Sequence, residues 1–111
     1  MIVENKPDLA ARVIKIITDI YPQLIYEDAL TFLQVCADEV ISLKSLSKRL
    51  GLAQSEVMRT VTELQQVGRV GLVEVVETRE DGLRRLVRLT DEGVKLRRTI
   101  VDLNRVSSTP A

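Results

Sequence analysis

The stretch from Ser42 to Gly68 constrains the fold more than any other part of the sequence. It reads SLKSLSKRLGLAQSEVMRTVTELQQVG, and leucines follow Ser42, a favoured helix N-cap residue, at helical spacing. Gly51 predicts the end of this helix, because glycine enters the left-handed C-cap conformation without a Cβ penalty. A second amphipathic helix is expected from Ala53 or Gln54 and is closed by Gly68. Two helices joined by a glycine turn are typical of a helix-turn-helix, whose second helix enters the DNA major groove.

After Gly68 the periodicity of the sequence changes from helical to extended. The run RVGLVEVVET is rich in β-branched residues, and a second extended run, RRLVRLT, follows a turn at Asp81-Gly82. Asp-Gly between two such runs is a strong hairpin signal. A hairpin placed directly after a recognition helix is a wing. The sequence therefore predicts a winged helix-turn-helix, mainly α with a small β-hairpin wing over residues 70–89.

Both ends of the chain are predicted to be amphipathic helices. The first covers residues 7–20, with Pro7 at its start, and its apolar stripe is wider than one small domain easily covers. The last covers residues 90–106, with Thr90 as N-cap and two acids in its first turn. A further helix from Tyr26 to Ala37 and a short extended segment lie between the first helix and Ser42. The two terminal helices indicate a homodimer; a first helix buried in its own core is the alternative.

Composition limits the classes of function. The 111 residues suit one domain, and no apolar run reaches the roughly 18 to 20 residues that span a bilayer, so we expect a cytoplasmic protein without a membrane segment. Histidine is absent and the glycines are scattered singly, which argues against an enzyme, a metal site or a cofactor. Cys36 is the only cysteine, so no intrachain disulfide forms. We interpret it as a packed core thiol, with a redox sensor as the alternative.

The basic charge is concentrated in the middle of the chain. The formal net charge is zero, which is a mild argument against nucleic-acid binding. Between Lys44 and Arg88, however, nine basic residues stand against six acidic ones, a surplus of three. The first forty residues carry seven acids and three bases. This distribution is what a one-sided DNA-binding surface requires.

From Leu30 to about Ile100 the chain resembles the MarR-type (multiple antibiotic resistance regulator) family of winged-helix transcription factors. The resemblance rests on the order of LKSLSKRLGLAQSEVMRTVTELQQVGRV, a charged hairpin and the segment LTDEG. It implies a homodimeric repressor or other regulator that binds an inverted repeat in double-stranded DNA. The chain departs from the family at Ala53, where an Asp or Ser cap is usual, and at Asp81-Gly82-Leu83, where Asp-x-Arg is usual. Its terminal helices are also short for the family's phenolic-ligand pocket, so no small-molecule effector is predicted.

Eleven residues are candidates for contact with DNA. By the resemblance, Arg59 pairs with guanine and Gln54 reads adenine, while the preceding helix start and the wing grip phosphates. The candidates on the recognition helix are Gln54, Ser55, Met58, Arg59 and Thr62. The candidates at the helix start and on the wing are Ser42, Lys44, Ser45, Arg79, Arg84 and Arg85. A solvated loop is the alternative for the wing arginines.

A winged helix that docks onto another protein is the second hypothesis, because a fold does not fix a function. The overall neutrality of the chain favours it, as do Glu56 and Glu63 on the recognition helix.

Overall fold

A computed structural model describes residues 5–38, 40–79 and 82–108, and the side-chain environments within residues 10–38, 40–79 and 82–103. Five helices and three strands make up this part of the chain. In chain order they are α1 (Asn5–Ile20), α2 (Tyr26–Ala37), β1 (Val40–Ser42), α3 (Leu43–Leu50), α4 (Gln54–Gln66), β2 (Val73–Thr78), β3 (Arg84–Leu89) and α5 (Asp91–Ser108). This is the winged helix-turn-helix that the sequence predicts.

The strands form one antiparallel sheet in the order β1-β3-β2. β3 pairs with β2 from Thr78–Arg84 to Val73–Leu89, which confirms the hairpin. The predicted turn lies partly outside the described residues, because Asp81 is not among them; Gly82 has φ +91°, a conformation suited to glycine. The short extended segment before α3 is β1, which pairs with β3 and ties the wing to the helix-turn-helix.

The helix-turn-helix has the predicted buried stripe. Val57, Val61 and Leu64 of α4 are fully buried, and Leu46 of α3 lies in the same core. Gly51 adopts the left-handed conformation with φ 67° and ψ 28°, and its N–H donates to carbonyls of the last turn of α3. The apolar spacing and the glycine together fix the angle at which α4 leaves α3.

α4 begins where the sequence predicts, but it ends two residues before Gly68. Ala53 offers no side-chain acceptor, but the Glu56 carboxylate accepts the N–H of Ala53 at 3.4 Å, so the helix begins at Gln54 without an Asp or Ser cap. The other end lies at Gln66 rather than at Gly68, because Val67 is already extended and turns its side chain into the core.

The terminal helices are slightly longer than predicted. α1 begins at Asn5, two residues before Pro7, which still lies in the first turn where a missing N–H costs no hydrogen bond. Val13 and Ile17 of α1 are buried in the same core cluster as Leu96 and Ile100 of α5. Part of the wide apolar stripe of α1 is therefore buried in the core of this chain.

Cys36 lies on the core side of α2, partly buried. Burial raises the pKa of its thiol to about 12, although the positive charge of Arg97 opposes the shift. The thiol therefore stays protonated at neutral pH, which favours the packed-thiol interpretation over a reactive redox sensor.

Candidate nucleic-acid interface

The outer face of α4 carries the five recognition-helix candidates. One side of the helix is buried through its valines, Leu64 and Thr60. The opposite side presents Gln54, Ser55 and Arg59 to solvent, while Met58 and Thr62 are partly buried beside them. The 3.6-residue period brings all five onto one side of the helix, as the sequence predicts.

A groove of about 490 Å³ lies between the start of α3, the start of α4 and the wing. Five of the eleven candidates line it, together with Leu43 and Leu83. These five are Ser42, Lys44, Gln54, Arg84 and Arg85. Three of them are cationic, and no acidic residue is among the described lining side chains, so the groove favours an anion such as a phosphate group. Residues far apart in the sequence converge here.

The two serine candidates also have a structural role. The hydroxyl of Ser42 accepts the backbone N–H of Ser45 at 3.0 Å, and the two hydroxyl oxygens lie 3.0 Å apart. Ser42 is therefore the N-cap of α3, as expected. The pair fixes the helix end on which Lys44 is exposed beside the groove.

The wing arginines differ in their partners. Arg79, Arg84 and Arg85 are all exposed, but Arg85 faces Glu77 across the hairpin, with Nε 3.5 Å from Oε2. Arg84 and Arg85 line the groove, whereas Arg79 does not. Of the candidates at the start of α3, Ser45 also lies outside the lining. Exposed ion pairs contribute at most about 1 kcal/mol, so a phosphate can compete for Arg85.

Arg59 forms an ion pair that the sequence did not predict. Its Nη2 donates to Oε1 of Glu27, on α2, at 2.7 Å, and both side chains are roughly half exposed. The two residues are 32 positions apart and lie on different helices. No local pattern connects them, so only the packing of α2 on α4 shows the contact.

Two residues of the LTDEG segment join the wing to α5. The Thr90 hydroxyl donates to the carbonyl of Gly71 at 2.6 Å and accepts the N–H of Gly93 at 3.1 Å. Glu92 accepts the Tyr21 hydroxyl at 2.8 Å and the backbone N–H of Arg69 at 3.3 Å. The segment therefore links the wing, the turn after α1 and the end of the helix-turn-helix to the last helix.

Among the described residues, no cluster of cysteine and acidic side chains is arranged to hold a metal ion. No described helix is both long and apolar enough to cross a membrane.

Comparison with known proteins gives structural matches only. No protein-family model matches the sequence, and no curated protein sequence matches it significantly. The structure resembles the PcaV transcriptional regulator from Streptomyces coelicolor, solved in complex with its natural ligand, with 27% identity and a TM-score of 0.60 over 77% of this chain and 59% of that one. RV1404 from Mycobacterium tuberculosis is 18% identical with a TM-score of 0.72, covering 99% of this chain and 77% of that one.

A further match bears on DNA. A mutant of MarR from E. coli, complexed with operator DNA, is 16% identical with a TM-score of 0.64, covering 86% of this chain and 67% of that one. At such identities the likeness concerns the fold, and the matched region spans less than two thirds of the PcaV chain. The order of the elements, the wing and these structures agree: the chain has the winged helix-turn-helix fold of the MarR-type transcriptional regulators.

Proposed function

We propose that this protein binds double-stranded DNA in a sequence-specific manner and regulates transcription, as a homodimer on an inverted repeat. The cationic groove beside the exposed face of α4 is the observation that carries the proposal. The likeness to the PcaV transcriptional regulator and to MarR complexed with operator DNA supports it.

Base reading is assigned to α4. Its exposed side carries Gln54, whose amide matches the paired acceptor and donor of adenine, and Arg59, whose guanidinium matches the two acceptors of guanine. Ser55, Met58 and Thr62 complete this side. Because an α-helix fits the major groove, these side chains would reach base edges when α4 is inserted.

Phosphate binding is assigned to the groove. Lys44 and Arg84 stand on opposite sides of it, one at the start of α3 and one on the wing. A strand of the duplex that passes between them would meet positive charge from both sides, which fixes the register of α4 without reading sequence. Because positive charge is needed only at this groove, the net charge of the whole chain can be zero.

The homodimer is assigned to the terminal helices. Ile20 of α1 and Val101 and Leu103 of α5 are 43–47% exposed, so both terminal helices present large apolar side chains to solvent. A second copy that covers them would place its own α4 in a major groove about one helical turn away. A dimer across two successive grooves occludes the duplex, which favours repression as the direction of regulation.

The test separates base reading from phosphate binding. Arg59→Ala is expected to cost about 1–3 kcal/mol at one base position, whereas Arg84→Ala weakens binding to all duplexes alike and lowers the salt slope by about one. Both are measured by titration of wild type and variants against a selected duplex and its single-base variants. Arg88→Ala is the control: this exposed arginine lies at the opposite end of β3 from Arg84, is paired with Glu74 and is none of the candidates, so the variant should bind as wild type. If neither Arg59→Ala nor Arg84→Ala changes binding, the proposed surface is wrong.

Docking onto another protein is the second candidate. It is favoured by the pairing of Arg59 with Glu27 and of Arg85 with Glu77, since two proposed DNA contacts are then already neutralised by acids of the chain itself. A gel shift with random genomic duplex distinguishes the two functions. Retention at low salt supports DNA binding, and its absence at every salt concentration supports docking.

A further inference from the structure

We propose that Glu27 is a positioning residue for Arg59: its carboxylate fixes the guanidinium in the orientation that reads one base pair, and so sets specificity there. The inference rests on the proposed function. It starts from the 2.7 Å contact between Arg59 Nη2 and Glu27 Oε1.

The register of α2 against α4 holds the two residues opposite each other. Thr31 and Thr60 are fully buried between these helices, and their hydroxyl oxygens lie 3.0 Å apart. The Thr31 hydroxyl also lies 2.8 Å from the carbonyl oxygen of Glu27, one turn earlier on α2. Arg59 directly precedes Thr60. The buried contact therefore brings the turn that carries Glu27 alongside the turn that carries Arg59.

The contact leaves Arg59 able to bind a base. A guanidinium has five N–H donors, and the described residues supply one acceptor, at Nη2. The side chain is 47% exposed, so donors remain for O6 and N7 of guanine. A flexible arginine loses rotamer freedom when it binds; one that is already held by a carboxylate loses less.

The same carboxylate opposes binding to DNA in general. Glu27 is 41% exposed at the edge of the recognition face, where a negative charge is repelled by phosphates. This cost falls on every sequence, whereas the fixed orientation of Arg59 favours only one base pair. Glu27 is therefore expected to raise specificity while it lowers non-specific affinity.

The experiment uses the full chain and a duplex enriched by the wild-type protein from a randomised library. Dissociation constants are measured for this duplex, its single-base variants and a random-sequence duplex. For Glu27→Ala we expect the discrimination at the base pair read by Arg59 to fall by about two- to fivefold, the range that an exposed ion pair allows. Binding to the random duplex should stay equal or become tighter. Glu27→Gln should lie between the two proteins, because its amide oxygen still accepts from Arg59 without a charge.

A second ion pair provides the matched control. Asp38 contacts Arg49 at 2.8 Å, with side-chain exposures close to those of Glu27 and Arg59, but Arg49 is on α3 rather than on the recognition helix. Asp38→Ala should leave the discrimination ratios unchanged. In an Arg59→Ala background, Glu27→Ala should cause no further loss of discrimination.

Several results would overturn the inference. Unchanged discrimination in Glu27→Ala shows that Arg59 does not need the carboxylate, and improved discrimination shows that Glu27 withdraws Arg59 from the base. A loss that persists in the Arg59→Ala background shows that Glu27 acts by another route. If the wild-type protein enriches no sequence at all, the proposed function itself fails, which is a different outcome from a wild type that discriminates while Glu27 has no effect.

Discussion

Gly93 has no space for a side chain at the start of α5. A Cβ at this position would collide with the backbone carbonyl of Leu72, the residue directly before β2. The Thr90 N–H donates to that same carbonyl at 3.0 Å, so the oxygen cannot move away freely. The last residue of the LTDEG segment is therefore glycine for a steric reason.

Gly93→Ala is expected to lower the free energy of unfolding by about 1–3 kcal/mol through overpacking, although alanine favours a helix more than glycine does. Urea unfolding measures the change. Lys95→Ala, at an exposed position of the same helix, should stay within about 0.5 kcal/mol of wild type. A Gly93→Ala protein as stable as wild type would show that Leu72 relaxes without cost.

Tyr21 gives the protein a sensitivity to alkaline pH. Partial burial, and then the hydrogen bond to Glu92, raise the pKa of its hydroxyl from 10.0 to about 12. The unfolded chain ionises more easily, so above pH 10 it binds fewer protons than the folded chain and stability falls. This contribution is fully present below about pH 10 and is lost as the pH rises towards 12.

Because stability falls as the pH rises through this range, Tyr21→Phe should differ from wild type most at neutral pH. The variant lacks the hydrogen bond, so it should be less stable than wild type at pH 8 by on the order of 1 kcal/mol. The difference should shrink between pH 10 and 12, because wild type loses the contribution there. Urea unfolding at a series of pH values measures both proteins. A gap that does not depend on pH contradicts the argument.

At the scale of elements, local patterns predicted most of what is seen. The buried stripe of α4, the Gly51 turn and the hairpin all follow from periodicity and turn chemistry within a few residues. The start of α4 has no side-chain cap, because Ala53 has no acceptor; the Glu56 carboxylate instead accepts the N–H of Ala53 itself. The groove was partly predictable: its cationic residues were candidates, but their convergence depends on how the wing folds back.

Contacts between distant residues lay beyond sequence reasoning. The pairs Glu27–Arg59 and Tyr21–Glu92 join positions 32 and 71 residues apart, and neither has a local signal. They depend on the packing of whole helices, which one sequence without structure does not determine. These contacts also underlie the proposed role of Glu27 and the pH dependence of stability.

The Thr90 hydroxyl joins the wing to the start of α5. Thr90→Val removes the hydroxyl that bonds both Gly71 and Gly93, and should cost about 1–3 kcal/mol because partly buried backbone groups lose their partner. Thr99→Val is the matched control: its hydroxyl bonds only to a carbonyl of its own exposed helical turn. Thermal unfolding of the two variants side by side measures the difference. Equal stability of both variants would contradict a structural role for Thr90.

For the whole molecule, the central question is how two copies meet. Leu103 on α5 is 43% exposed, and we expect it to become buried in the proposed homodimer. Leu103→Asp should weaken self-association by at least roughly tenfold, because a carboxylate would be buried without a partner. Sedimentation equilibrium measures the association.

Val40→Asp places the same charge at a similarly exposed apolar position on β1, outside the terminal helices, and should associate as wild type. Leu103→Asp should also bind an inverted repeat no better than a single half-site. Association equal to wild type would remove α5 from the dimer interface.

The hydrogen bonds of Thr90 hold the wing rigidly against α5, a helix of 18 residues that is about 27 Å long. In a dimer held by this helix, a change in the crossing angle of the two α5 helices would move both wings with it. A few degrees of rotation at the far ends would then widen or narrow the gap between the wings, and with it the spacing of half-sites that the protein accepts.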